Sequence, residues 1–291
     1  MEQTINFNKP RSIKACVIDA WRIGALNWRN YLKALWPHLL LLGITVSLFV
    51  EVAVRYATQH LLPAYKLMQY ESEPKIIQYV ATPNLSLGVC LLIAFICFLI
   101  GIYNFEGRLY YLIQRYSETD QFETASRIKP IKEARNNSSR LLRCDALFML
   151  CTILLLLTIG FAALKLSLWI SILLPCLCIY SWSTANVARM QYAFGRKPLG
   201  KALKFAFRRS MGMSFMVQFI TFIPAVLLWL IFGMPAIIYL LTEIGGHTSA
   251  LMGDATGLPA YLPFIFFILN AGGLALCALV DSVRTWALAM K

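Results

Sequence analysis

Arg196-Lys197-Pro198-Leu199-Gly200-Lys201-Ala202-Leu203-Lys204-Phe205-Ala206-Phe207-Arg208-Arg209-Ser210 leads directly into an uncharged stretch from Met211 to Thr242. The first part is a basic joint marked by proline. The second exceeds the ~20 helical residues needed to cross a ~30 Å hydrocarbon core. Lipid offers no partners for backbone polar groups, so a spanning segment must satisfy its own, as a helix does. The same juxtaposition occurs twice more. Asn8-Lys9-Pro10-Arg11-Ser12-Ile13-Lys14-Ala15 precedes an apolar run at about Leu35–Val54, and Ile128-Lys129-Pro130-Ile131-Lys132-Glu133-Ala134 precedes one at about Ala146–Leu164.

Each of these runs is followed by another, at about Leu85–Tyr103, Leu166–Ala188 and Leu258–Val280. None alternates with period two, which excludes barrel strands. Only the first contains a charged residue, Glu51. A composition of 59% hydrophobic and 14% charged residues is too apolar for an ordinary soluble domain. The expectation is an all-α polytopic membrane protein: six transmembrane helices in three repeated hairpins, joined by interfacial amphipathic helices. It forms a single transmembrane domain over 1–291. Within it, 1–34 is a cytoplasmic interfacial helix, 35–116 the first hairpin, 117–194 a joint with the second, and 195–291 an interfacial helix with the third.

A net charge of +13 suggests nucleic acid until its distribution is followed. Of 27 Lys and Arg, all but Arg55, Lys66, Lys75 and Lys165 fall in segments that six spans place on one side. Lys/Arg bias marks the cytoplasmic side, so both termini are expected there, and no nucleic-acid partner is expected. The first thirty residues show no cleavable signal peptide.

Two segments are amphipathic. Ile13–Leu35 places Ile13, Cys16, Val17, Ala20, Trp21, Trp28, Tyr31 and Leu32 at helical spacing, with Lys14, Arg22, Arg29 and Lys33 opposite. Trp on one face and Lys/Arg on the other suit a helix in the membrane interface. Lys197, Lys201, Lys204 and Arg208 form a sharper basic stripe, for which anionic membrane lipids are the expected partners. The run Asn136-Asn137-Ser138-Ser139 is expected to break or cap a helix before the third span. Pro224 and Pro235 are expected to kink the long fifth run. Pro175 is expected to free a carbonyl for Ser181, Ser183 or Thr184.

The second helix of each hairpin ends in a similar polar pattern: Asn104, Glu106 and Arg108; Asn186 and Arg189; Asp281 and Arg284. Ionisable groups beside hydrocarbon are costly unless paired. Glu106, Arg108, Asn186, Arg189, Asp281 and Arg284 are therefore expected to meet in a polar cluster that either binds a lipid headgroup or anion or locks the hairpins together. Glu51 and Arg55 are one turn apart and suit an intrahelical pair. Asn270, mid-span before Gly272-Gly273, suits an interhelical hydrogen bond.

Catalytic signatures are missing. There is no Gly-x-Ser-x-Gly, His-Glu-x-x-His or phosphate-binding glycine loop. His38, His60 and His247 are scattered, and Cys176-x-Cys178 has no second pair, so neither a metal site nor a cofactor is expected.

The lead-in Asn27-Trp28-Arg29-Asn30-Tyr31, the proline in the fourth span, and Gly195 followed by the basic stretch ending in Arg209-Ser210 carry a resemblance over nearly the whole chain. It resembles the six-helix membrane domain fused to some bacterial glycerophosphodiester phosphodiesterases, and the stand-alone relatives of that domain. The resemblance implies a bacterial inner-membrane protein and carries over no catalytic residue. The resulting expectation is a non-enzymatic integral membrane protein that binds lipid or a membrane-protein partner. A transporter or channel for a small solute or ion, and a membrane-embedded enzyme of unrecognised type, are the alternatives.

Overall fold

The computed structural model describes residues 11–61, 85–119, 121–122, 131–166, 169–210, 212–251, 259 and 261–290, without side chains at 60–61, 85, 131, 155–166, 169–177 and 247–251. The basic joint at Asn8-Lys9-Pro10, the segment after Leu61, Lys129-Pro130 and Asp254 lie outside the described residues. So do the side chains of Lys165, Pro175 and His247.

Regular structure among the described residues is helical throughout. In chain order it comprises α1 (Ile13–Leu26), α2 (Trp28–Tyr56) ending in a π turn (Ala57–Leu61), α3 (Leu85–Thr119), α4 (Ile131–Leu166) and α5 (Trp169–Arg189). A second π turn (Met190–Phe194) follows α5, then α6 (Leu199–Arg209), α7 (Met213–Phe232), α8 (Met234–Leu251) and α9 (Leu262–Ala289). Four helices among the described residues are long and apolar enough to cross a membrane: Trp28–Gln59, Ser86–Thr119, Met213–Phe232 and Leu262–Ala289. Among the described residues the chain is all-helical, and four such helices are compatible with a multi-pass membrane protein. Outward-facing Leu92, Ile96, Ile100, Phe219, Ile223, Leu227, Phe264 and Ile268 are the lipid-facing surface such helices require.

The structure differs from the sequence reading in several places. Ile13–Leu35 is not one interfacial helix. Asn27 ends α1 by returning its backbone N–H (3.1 Å) and its side-chain amide (3.3 Å) to Ile23 O, and Trp28 onward opens the first spanning helix. Asn136-Asn137-Ser138-Ser139 does not interrupt α4, which runs through it for 36 residues. Two of its polar side chains have partners, one on the neighbouring helix and one within α4. Asn137 donates to Gln114 Oε1 (3.1 Å) and Ser138 to Ala134 O (3.0 Å). The fifth run divides at Gly233 rather than at Pro224, which stays inside α7. Pro235 falls in the first turn of α8, where its missing N–H is tolerated. The hydroxyls placed below Pro175 bond elsewhere: Ser181 to Thr152 (3.1 Å), Ser183 to Ser210 O (3.0 Å) and Thr184 to Tyr180 O (2.8 Å).

The chain resolves into two compact units. The first comprises Met1–Trp36, Tyr103–Ala225 and Val280–Lys291. Its core is built on buried stripes: Cys16, Ala20 and Ile23 of α1, and Phe105, Leu109, Leu112, Ile113 and Tyr116 of α3. The α3 stripe carries the helix well past the predicted span end at Tyr103, because its apolar period continues into protein core. At the base, Tyr31, Tyr116, Phe122 and Trp286 pack with ring centroids 5.5–6.4 Å apart. Tyr31 hydrogen-bonds Ser282 and accepts from Trp286 Nε1 (3.3 Å), which ties the N-terminal helices to α9.

The second unit comprises Pro37–Ile102 and Val226–Leu279. Phe49 stacks on Phe98 (5.1 Å), and Ser47 donates to Phe267 O (2.8 Å). Arg55 pairs with Glu51 at 2.7 Å within α2, as the one-turn spacing led us to expect.

Candidate functional site

The polar groups of the first unit sort into an ionic cluster, an amide chain and a basic surface. The ionic cluster centres on Arg189, the last residue of α5 before the π turn. Its guanidinium bonds Glu106 of α3, and Nε lies 3.2 Å from Asp145 Oδ1 of α4. That second contact lacks hydrogen-bond direction and is Coulombic. Tyr103 donates to the other Asp145 oxygen at 3.1 Å. Two carboxylates thus share one guanidinium and pin α3, α4 and α5 together. The side chains of Arg189, Glu106 and Asp145 are only 13%, 21% and 20% exposed.

The π turn behind Arg189 is held from the same helices. Gln114 Nε2 donates to Ala193 O (3.0 Å) and Phe194 O (3.2 Å), and Arg140 Nη1 donates to Tyr192 O (3.1 Å). π turns leave carbonyls outside the i→i−4 ladder, and here side chains from α3 and α4 take them up. The chain then reverses through Arg196, at φ 48°, a left-handed conformation uncommon for any residue with a side chain.

The six predicted cluster residues do not all meet. Glu106 and Arg189 do, across helices. Asp281 and Arg284 pair with each other at 2.7 Å within α9, and Arg284 lies over the Trp182 ring (5.2 Å). Arg108 is buried elsewhere. Two residues on from Glu106, it projects from another face of α3, donates to Ala34 O (3.4 Å) and covers Tyr111 (5.4 Å). Asn186 belongs to the amide chain, in which it donates to Gln218 Oε1 (3.1 Å) and Gln218 donates to Ser183 Oγ (3.2 Å). Asp145, Tyr103, Gln114 and Gln218 were not among the residues predicted for a polar site, and Asn137 was read only as part of a helix break. Asp145 had a signal, since it directly precedes the apolar run at Ala146, but it lies on α4, outside the helix ends where the polar pattern was sought.

The basic surface is α6. Ala202 and Ala206 are fully buried, and Leu199 and Leu203 join them against Cys144, Phe148, Val187 and Ala188. The apolar stripe therefore faces protein rather than lipid. Lys201, Lys204, Arg208 and Arg209 point outward, with Phe207 (55% exposed) and Phe205 (36%) beside them. Lys197 lies before the helix rather than on it. Its ammonium folds over the Phe205 ring (5.0 Å) and donates to Gln191 Oε1 (2.6 Å). Among the described residues, no His, Cys, Asp and Glu side chains group in a way that could hold a metal ion.

No protein family, no curated protein and no solved structure matches this chain.

Proposed function

We propose that this is a non-enzymatic protein of the bacterial inner membrane that holds anionic lipid headgroups on the outer face of α6. In this reading six spans form three hairpins and both termini are cytoplasmic. α4 and α5 supply the third and fourth spans, and all Lys/Arg-rich segments share one side. The resemblance to the membrane domain of glycerophosphodiester phosphodiesterases agrees with that location.

One observation carries the proposal. α6 uses its small and apolar side chains on its own protein and leaves Lys201, Lys204, Arg208 and Arg209 outward beside two exposed phenylalanines. Exposed cations with aromatic neighbours suit phosphate headgroups and the acyl boundary beneath them. The Arg189 cluster supports a different role. The contacts of Arg189 already go to two carboxylates of its own protein, which suits a lock between helices better than capture of an anion.

Native mass spectrometry of the full chain, with anionic and zwitterionic lipids in competition, tests this. Each basic residue near an anionic surface contributes about 1 kcal/mol, screened by salt. Replacing Lys201, Lys204 and Arg208 together with Glu should therefore weaken anionic-lipid retention by about 100-fold or more. Equal retention of both lipid classes by the unaltered protein would refute the proposal.

A further inference from the structure

In the second unit, α7 and α8 run antiparallel to α9 in a fixed register. Cys277 Sγ lies 4.0 Å from Leu228 O, Gly273 abuts Phe232 O, and the Tyr239 and Phe266 rings are 5.3 Å apart. Each step forward along α7–α8 is a step back along α9, so the residue facing Pro235 is Asn270. Phe266, Asn270, Gly273 and Cys277 follow three- and four-residue spacing and form one face of α9. Gly273 permits the approach, since a Cβ there would strike the Phe232 carbonyl oxygen.

The backbone opposite Asn270 has lost two of its hydrogen bonds. The carbonyl of Ile231 would take the N–H of residue 235, which is proline and has none. The carbonyl of Phe232 would take Ala236 N–H, which turns instead to Gly233 O (3.1 Å). Asn270 is 2% exposed, and its Oδ1 has no hydrogen-bond partner among the described residues. A buried carboxamide oxygen without a donor is costly and requires an explanation. The oxygen takes no part in the interhelical hydrogen bond expected from the sequence.

We propose that the Ile231 and Phe232 carbonyls and Asn270 Oδ1 form a binding site for a monovalent cation, either an alkali-metal or an ammonium ion, within the apolar stretch of α9. All three are neutral oxygens that accept and do not donate, which suits a positive ligand and not an anion. No carboxylate joins them, which suits a single charge rather than the divalent ions that carboxylate-rich sites hold. Interrupted helices whose freed carbonyls meet a polar side chain inside the bilayer are a recurrent way of holding small cations. This site is independent of the lipid-binding face of α6 and goes beyond it.

The test measures thermal unfolding of the full chain in lipid nanodiscs, titrated with sodium, potassium or ammonium chloride. N-methyl-D-glucamine chloride holds the ionic strength constant. The expected result is a saturable rise in the unfolding temperature with at least one small cation. A response to sodium or potassium alone identifies an alkali-metal site, and a response to ammonium alone identifies an amine site. Asn270→Leu, close in volume but without the oxygen, should raise the half-saturating concentration at least about tenfold. Pro235→Ala should raise it too, by returning an N–H to the Ile231 carbonyl, and it carries the test if Asn270→Leu does not fold. Lys201→Glu should leave the titration unchanged. Equal unfolding temperatures in all four salts would overturn the proposal, meaning that the carbonyls and the carboxamide are satisfied by each other or by water. A response that both Asn270→Leu and Pro235→Ala retain unchanged would overturn it as well.

Discussion

Replacing Arg189 with Met removes the one cation that Glu106 and Asp145 share and keeps most of the side chain's volume. Breaking a fully buried ion pair by removing one partner costs about 3–5 kcal/mol, whereas exposed pairs are worth about 0–1 kcal/mol. Glu106 and Asp145 are about one-fifth exposed, so the loss belongs near the lower end of the buried range, about 3 kcal/mol. Asp145→Asn removes the longer, undirected contact at 3.2 Å, keeps one oxygen to accept from Tyr103, and should cost about 1 kcal/mol. With roughly 2–4 °C per kcal/mol for a chain of this order of size, Arg189→Met should unfold about 6–12 °C early and Asp145→Asn about 2–4 °C early. The combination Glu106→Gln, Asp145→Asn and Arg189→Met should recover a large part of the loss, because no uncompensated charge remains. Unfolding followed by near-ultraviolet circular dichroism in nanodiscs reads all three. If Arg189→Met stays within about 1 °C of the unaltered protein, or the triple variant is no better than Arg189→Met alone, the cluster does not lock these helices.

Three further outcomes test the packing and topology. Gly107→Val should cost about 1–3 kcal/mol, because its Cβ would lie 2.6 Å from Ala134 O and 3.0 Å from Ser138 N, backbone atoms that cannot rotate away. Thermal unfolding measures that loss, and Gly24→Ala, with nothing within 4 Å, is the control that should show little change. Ala206→Leu should destabilise by about 1–3 kcal/mol by forcing α6 away from Cys144 and Val187. Proteolysis near Arg209 should then become faster while the far end of the chain stays protected. In a cysteine-free background, cysteines at Ser126 and Lys197 should resist an impermeant reagent applied to whole cells, while one at Ser249 should react. Labelling at Lys197 from outside would reverse the assigned orientation.

Much of the fold was legible in the sequence because the signals were local. Each uncharged run had to be helix if it met lipid, and the helix start at Leu199 follows directly from Pro198, which cannot continue a ladder backward. The one-turn spacing of Glu51 and Arg55 was enough to pair them. The spacing of Lys201, Lys204 and Arg208 was enough to show one basic face, though not that the opposite face would be covered by protein.

What the tertiary structure alone decided depends on register between segments far apart in the chain. Glu106 and Arg189 are 83 residues apart and Tyr31 and Ser282 are 251 apart, so no local pattern states whether they meet. Asn136 to Ser139 looked like a break because polar residues compete with helix backbone when alone. With Asn137 bonded to Gln114 and Ser138 to Ala134 O, α4 continues through them. Asp145 gained its importance from the two helices that bring Arg189 and Tyr103 to it. Asn270 shows the opposite outcome. Hydropathy marked it as the polar residue of its span, but only the fold buries it with an oxygen that has no hydrogen-bond partner among the described residues.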